Sequence, residues 1–356
     1  MFGGQGSGAD FFNDLHLLDL KKSPLKLEQL SAAGDPPFPR CSGTLTAMSV
    51  SGLPGTEVVA LFGGSQGFFE GFSNSLCLLQ GDNSVSISDA ASEHMGLTWR
   101  EPIVLAANPR DGVPDARWGH SAVSWKGKLI LFGGSNTQHC FNDTWILEVS
   151  ANPKDESGRG QLLATWKKLK LGSDVCPPSR AGQTVSLVGE SLYVFGGCHV
   201  SDVFNDLWKL DLSTELPCWE ELHVSGTPPA PRVGHAAVVL GDRIVFSGGR
   251  GSPTAGGSGT YATADQGLAT MQGLTFFEGG FAMLDISRGM WMPIQYPNRT
   301  VYQQHKDDED VEMESVEVWE HRTGHVMVPA RDGLLVIGGL AYNGQFQNDV
   351  QHIKVF

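Results

Sequence analysis

Five arginines open five similar stretches of this chain: Arg40 in "RCSGTLTAM", Arg117 in "RWGHSAVSW", Arg180 in "RAGQTVSLV", Arg232 in "RVGHAAVVL" and Arg322 in "RTGHVMVPA". In three of them a histidine follows three residues on (His120, His235 and His325), and Gln183 holds that place in a fourth. A guanidinium binds carboxylates or phosphates through paired N–H donors. The arginines therefore either pair with acidic turn residues of the chain or face an anionic ligand. Imidazoles can ligate metal, but histidines at one place of successive similar units do not converge on a point. Hydrogen bonding between units is the simpler role for them. Asn-Asp pairs also recur, at Asn13-Asp14, Asn142-Asp143, Asn205-Asp206 and Asn348-Asp349. They read as turn and strand-entry devices whose side chains bond nearby backbone, with a catalytic carboxylate dyad as the alternative. No glycine-rich phosphate loop is present, since "GGSGT" lacks a following Lys and a helix.

The elements that must position these groups are short strands. Apolar runs ending in a glycine pair recur as "MFGG", "VVALFGG", "KLILFGG", "SLYVFGG", "RIVFSGG" and "LLVIGG". The pairs are Gly3-Gly4, Gly63-Gly64, Gly133-Gly134, Gly196-Gly197, Gly248-Gly249 and Gly338-Gly339. Downstream of the pairs come segments such as "FFNDLHLLDL", "FNDTWILEV" and "FNDLWKLDL", and then a tryptophan: Trp99, Trp166, Trp219 or Trp291. Each unit thus reads as four strands joined by turns rich in Gly, Pro, Asn and Asp, which is the pattern of a propeller blade. One four-stranded sheet hides its two faces only against like sheets, so the units must stack. The glycine pair suits the crowded inner end of the second strand, where positive φ excludes a Cβ. The tryptophans suit the gaps between blades.

The glycine pair after an apolar strand, the Asn-Asp segment and the later Trp resemble kelch repeats over essentially the whole chain. The resemblance implies an all-β fold, a six-bladed kelch-type β-propeller occupying residues 1–356 as a single domain, with units near 1–38, 39–114, 115–178, 179–230, 231–320 and 321–356. The lead-ins "CPPSRAGQ" and "TPPAPRVGH" are similar to long-repeat kelch proteins, including F-box/kelch ubiquitin-ligase receptors and small-GTPase effectors. Some kelch-like propellers are copper oxidases built on two tyrosines, two histidines and a cysteine partner at the axis. Here the tyrosines, Tyr193, Tyr261, Tyr296, Tyr302 and Tyr342, fall mostly in inserted loops. The Glu, Asp and His triplet of iron-dependent specifier proteins is also missing from the loops. A protein-interaction module without catalysis or cofactor is the resulting expectation, with a metal-dependent or small-molecule propeller enzyme as the rival.

Composition narrows the partner. A net charge of −14 opposes nonspecific binding to nucleic acid or an anionic membrane. Six cysteines without a CxxC pair and no signal peptide point to a reduced cytoplasmic or nuclear setting. Apolar runs are far shorter than the ~20 residues of a membrane helix. The partner is expected on the loops that follow the glycine pairs, through Arg117, Arg180, Arg232 and Arg322 with Phe69, His139, His199 and Tyr342. Arginines ringing a mouth favour an acidic or phosphorylated peptide. Two insertions, at 250–280 and 297–321, fall on the same loop side. The second carries Asp307, Asp308, Glu309, Asp310, Glu312, Glu314, Glu317 and Glu320, either a solvated face or a guide for a partner. The Gly3 unit has no first strand and the last has no fourth. A stretch of roughly 20 residues before Met1 is expected to supply both, with any F-box or other domain upstream of it.

Overall fold

The computed structural model describes residues 1–7, 10–20, 25, 27–67, 71–81, 96–155, 160–200, 202–251, 275–276, 281–292, 299–304, 311–314, 322–330, 333–341 and 344–353. Among them there is no α-helix, and the fold is all-β. Two compact units form, Met1–Asp19 with Leu27–Leu171 and Leu20–Lys26 with Gly172–Phe356. Each holds three blades.

In the first unit, blade one consists of Phe2–Gln5, Phe11–Leu18 and Leu27–Leu30. Blade two is Thr44–Ser51, Glu57–Phe62, Leu76–Gly81 and Leu97–Arg100. Blade three is Ser121–Trp125, Lys128–Phe132, Thr144–Ala151 and Leu162–Lys168. In the second unit, blade four is Thr184–Val188, Ser191–Phe195, Leu207–Asp211 and Trp219–Glu221. Blade five is Ala236–Leu240, Arg243–Ser247, Phe281–Asp285 and Met290–Met292. Within these blades each strand pairs antiparallel with the next in sequence.

Two-residue alternation explains the packing. Along Thr44–Ser51, Thr46, Met48 and Val50 are buried while Ala47, Ser49 and Ser51 are exposed, as for a strand with one face on the core. The second strands are buried on both faces: Leu129, Ile130, Leu131 and Phe132 have no exposed surface. Each such side chain contributes about 1.5–3 kcal/mol of burial. Between blades two and three the core joins Val58, Ala60 and Phe62 to Leu147, Val149 and Trp166.

The chain leaving the outer strands of blades one, two and four also touches the next blade's outer strand, side by side and parallel. Ala33 bridges Thr98 in this way, and Ser225 bridges Met290. At blade three the same contact is a full ladder. Ile103–Ala106 runs parallel to Leu163–Trp166 and forms a fifth strand of that sheet.

The sixth blade departs from expectation. Its inner strands are Val326–Ala330, Gly333–Ile337 and Val350–Ile353. The place beside Val350–Ile353 is filled by Arg299–Gln304, antiparallel, with Arg299 opposite Ile353 and Tyr302 opposite Val350. Val311–Glu314 pairs with the outer side of that strand. A residue stretch expected as a loop insertion is therefore, in its described parts, a β-hairpin extending the sheet. The place expected to await a strand from before Met1 is taken by the chain's own segment. The physical reason is local: "RTVYQQ" is rich in β-formers, and Val350–Ile353 otherwise presents unpaired backbone. Residues Asp307 to Asp310, Glu317 and Glu320 lie outside the described residues.

Candidate functional site

The repeated arginines sit where a strand enters each blade, and they are buried. Arg117, Arg180 and Arg322 have no exposed surface, Arg40 is 2% exposed and Arg232 4%. In blade three, Arg117 Nε donates to Asp115 O at 3.0 Å and Nη1 to Gly133 O at 3.0 Å. Its fork then grips Asp143, at 2.6 Å to Oδ1 and 3.1 Å to Oδ2, while Phe141 lies under the guanidinium at 3.9 Å. Gly133 precedes and Asp143 ends the loop between the second and third strands. Arg117 thus ties the two ends of that loop together.

The same clamp recurs. Arg180 bonds Gly196 O at 3.0 Å and both oxygens of Asp206 at 2.7 Å, with Phe204 at 4.3 Å. Arg322 bonds Gly338 O at 3.1 Å and both oxygens of Asp349. Burial raises the Asp349 carboxyl, but hydrogen bonds from Arg322 and Gln351 outweigh it and hold the group below the ordinary carboxylate range. The indoles of Trp145 and Trp208 complete the shells of Asp143 and Asp206 at 2.7 and 2.6 Å. Arg232 bonds Gly248 O at 3.0 Å. In the sequence Gly280 stands just before the third strand of this blade, where the other three carry aspartate, and it lies outside the described residues. Of the two roles open to the arginines, this geometry gives Arg117, Arg180 and Arg322 pairing with the chain's own acids, and it buries Arg40 and Arg232 as well. That is a correction to their placement at a partner-facing mouth, and it removes the argument for an acidic or phosphorylated peptide.

The Asn-Asp pairs divide their work. Asp143, Asp206 and Asp349 serve their own blade's arginine and Asp14 meets His16, while Asn13 Nδ2 donates to Pro37 O and Asn205 Nδ2 to Pro229 O in the lead-in of the next blade, both at 3.3 Å. Their carboxylates are spent on structure, which leaves the dyad alternative without free groups at Asp143, Asp206 and Asp349.

Glycine and histidine lock neighbouring blades. Gly63 has φ +66°, and a Cβ there would lie 2.6 Å from His120 Cε1 and 2.8 Å from Arg117 O of the next blade. Gly196 meets His235 and Arg232 O in the same way, both at 2.8 Å, and Gly248 meets His325. The second glycine of every pair but the first packs on its own blade, as Gly197 does on Gln183. Gly3-Gly4, Gly134, Gly249 and Gly338-Gly339 repeat the positive φ. His120 Nε2 reaches Thr44 Oγ1 of blade two at 3.1 Å, and His235 Nε2 reaches Thr184 Oγ1 at 3.0 Å. Burial, reinforced by the adjacent arginine, pushes His120 and His325 down to about 3 and holds His235 well below its ordinary value. All three imidazoles are neutral near neutral pH.

The tryptophans are buried too. Trp99 packs edge-on against Phe2 at 5.2 Å, Trp166 against Phe62 at 5.0 Å and Trp291 against Phe195 at 5.2 Å, each reaching the blade before its own. Trp219 is 3% exposed.

What remains at the surface is loop tips. His139 is exposed on a loop whose turn is fixed by Asn136 Oδ1, which accepts from the amides of Gln138 and His139 at 2.9 and 2.7 Å. In blade four, Cys198–His199 and Asp202–Val203 form a two-residue hairpin. His199 is half-buried there, and Val200 is 70% exposed at φ +53°. A β-branched residue rarely takes that conformation. Phe72 stacks on Trp118 at 6.2 Å. Phe69 and Tyr342 lie outside the described residues. Among the described residues no group of three or more His, Cys, Asp or Glu is arranged to hold a metal ion. Sequence reasoning named Asp143, Asp206 and Asp349 and offered acidic pairing for the arginines without joining the two, and it missed Val200 and the phenylalanines under the arginines. The acids had a signal, a spacing from their arginines of 26, 26 and 27 residues.

Comparison with known proteins agrees with this architecture. The family model described as the KLHDC2/KLHL20/DRC7 Kelch-repeats domain matches residues 96–263, just under half of the chain. Adagio protein 3 of Arabidopsis thaliana is 35% identical over 140 residues, 38% of this chain and 20% of that protein. Rho GTPase-activating protein gacHH of Dictyostelium discoideum is 31% identical over 153 residues, 41% of this chain and 9% of that protein. The match spans about a fifth of the adagio protein's length and less of the other. The solved structure of YjhT covers 95% of this chain and 87% of its own, with a TM-score of 0.58 at 15% identity, a likeness of fold. Glycine pairs, arginine clamps and interblade tryptophans thus sit in a chain that is a kelch-repeat β-propeller.

Proposed function

We propose that this kelch propeller is a protein-interaction module whose partner contacts are made by the tips of the loops that follow the glycine pairs. The observation that carries the reading is the division within those loops. Their ends are fixed by a buried arginine, an aspartate and a phenylalanine, while their tips present His139 and the strained Val200 outward beside a half-buried His199. A tip held by a rigid base loses little conformational freedom on binding, and an exposed apolar side chain in a strained turn suits a contact anchor. The finer role is that of a receptor that delivers its partner to a ubiquitin ligase. It rests on the similarity of the lead-in motifs to F-box/kelch receptors and on the sequence match to adagio proteins. A cytoplasmic or nuclear site of action goes with it.

The test compares affinity capture by the wild-type chain with capture by Val200→Asp and His139→Ala, both on exposed tips. The tip variants are expected to keep the wild-type melting temperature and to lose specific partners. A partner set unchanged by either variant would sink the proposal. For the finer role, depletion of the chain should lengthen the captured partner's lifetime; an unaltered lifetime leaves a scaffold in its place.

A further inference from the structure

The fifth strand of blade three has no evident structural reason to be so long or so apolar on its outside. In blades two and five the equivalent contact is a single bridge. Here it is a four-residue ladder, extended by the amide of Ala107 donating to Trp166 O at 2.8 Å. Among the described residues no strand pairs its outer side. Ile103, Val104 and Leu105 in succession are 39%, 42% and 41% exposed. An exposed apolar edge strand is a template for another strand, and proteins usually guard such edges with charge or a bulge.

We infer that Ile103–Ala106 is a self-association edge, pairing antiparallel with the same strand of a second copy about a two-fold axis at Val104. The occupant follows from complementarity of register and charge. With Val104 opposite itself, Ile103 faces Leu105 and Leu105 faces Ile103, so the apolar run meets itself. The same register sets Glu101 of each copy opposite Ala107 of the other. Trp166 lies beside Ala106, so Lys167, the next residue along that strand, flanks Ala107. Glu101 and Lys167 are both exposed. Two strand spacings of about 4.8 Å separate these positions, a gap that the two side chains together span. An isologous two-fold contact is the commonest form of homo-oligomer. Four residues of edge bury far less than the ~1,200 Å² of a stable interface, so the association is weak and concentration-dependent.

Sedimentation equilibrium from low micromolar to several hundred micromolar protein tests this on the full chain. The wild type is expected to shift reversibly toward a dimer, less so in high salt. Val104→Lys places two lysines opposite each other and should weaken association at least tenfold, as should Val104→Glu with two acids. An equimolar mixture of the two variants should regain association. Both changes fall on an exposed side chain, and an unchanged melting curve confirms that the fold is intact. A wild type that stays monomeric throughout overturns the inference, including when it is found to bind some other extended peptide. Association unaffected by Val104→Lys overturns it too, and failure of the mixture to recover rejects the two-fold register.

Discussion

Blades two and three belong to one unit and are built alike, yet their clamps differ in chemistry. In blade three Arg117 grips the carboxylate of Asp143, which also accepts from the indole of Trp145. In blade two Arg40 has Ser75 Oγ, at 2.9 Å, in place of the carboxylate, and Cys77 stands where the indole donor would be. Both arginines keep the bond to the carbonyl of the first glycine, at 2.9 and 3.0 Å. Acid and indole have gone together. The contrast separates two jobs: the guanidinium-to-carbonyl bond suffices to build a blade, and the carboxylate adds a neutralised, bidentate grip on the loop's far end. Burial lowers the Arg40 pKa, partly opposed by the nearby Cys77, as for a cation whose partners are mostly neutral.

The sharpest way to break this comparison is to remove each partner. Asp143→Ala strands a buried guanidinium and is expected to cost about 3–5 kcal/mol in denaturant unfolding, whereas Ser75→Ala should cost about 1 kcal/mol. Equal losses would mean that the carboxylate adds nothing to the clamp. Next, Gly63→Val attacks the contact between the two blades while leaving every clamp side chain in place, although the Gly63 carbonyl also serves Arg40. Positive φ and the clash with His120 together predict a loss of roughly 2–4 kcal/mol. A variant that melts with the wild type would show that the backbone gives way more easily than its contacts suggest.

Acid provides a third probe. His120 has a lower pKa in the fold than in the unfolded chain, so the unfolded state binds more protons between pH 6.5 and about 3. Stability therefore falls as the pH drops through that window, by about 2 kcal/mol per such histidine at pH near 5. Blade four manages with Gln183 at the same place, so His120→Gln should fold and show an acid dependence smaller by close to one proton. An unchanged slope would place the titration elsewhere. The smallest effect is a gain. Ser75→Asp rebuilds the blade-three clamp around Arg40 and should add about 1 kcal/mol; destabilisation would show that the loop of blade two cannot seat a carboxylate.

The repeats were legible because they are enforced residue by residue. Every glycine pair meets either a neighbouring blade or its own first strand, so the chain cannot hide the pattern. The burial of the arginines was half legible, since pairing with acids was one of two readings. What decided it was depth, which a linear pattern does not carry. The role of Arg299–Gln304 was obscured by the acidic residues around it, which drew attention to charge and away from the β-forming core of "RTVYQQ". Ile103–Ala106 was passed over because Pro102 separates it from the segment that carries Trp99. Its parallel partner lies 60 residues away, and only the folded chain brings the two together.

The sixth sheet has a consequence for how the chain assembles in time. Its four blade strands and the added outer one all come from residues 299–353, and the outer hairpin is the earliest of them to leave the ribosome. In blades two to five the inner strand emerges first and the sheet grows outward. Here the perimeter comes first and the interior is laid against it afterwards. Contacts local in sequence form faster because short loops cost less entropy to close. This sheet can thus be completed by whatever chain has just been made, with no earlier strand held unpaired and prone to aggregation.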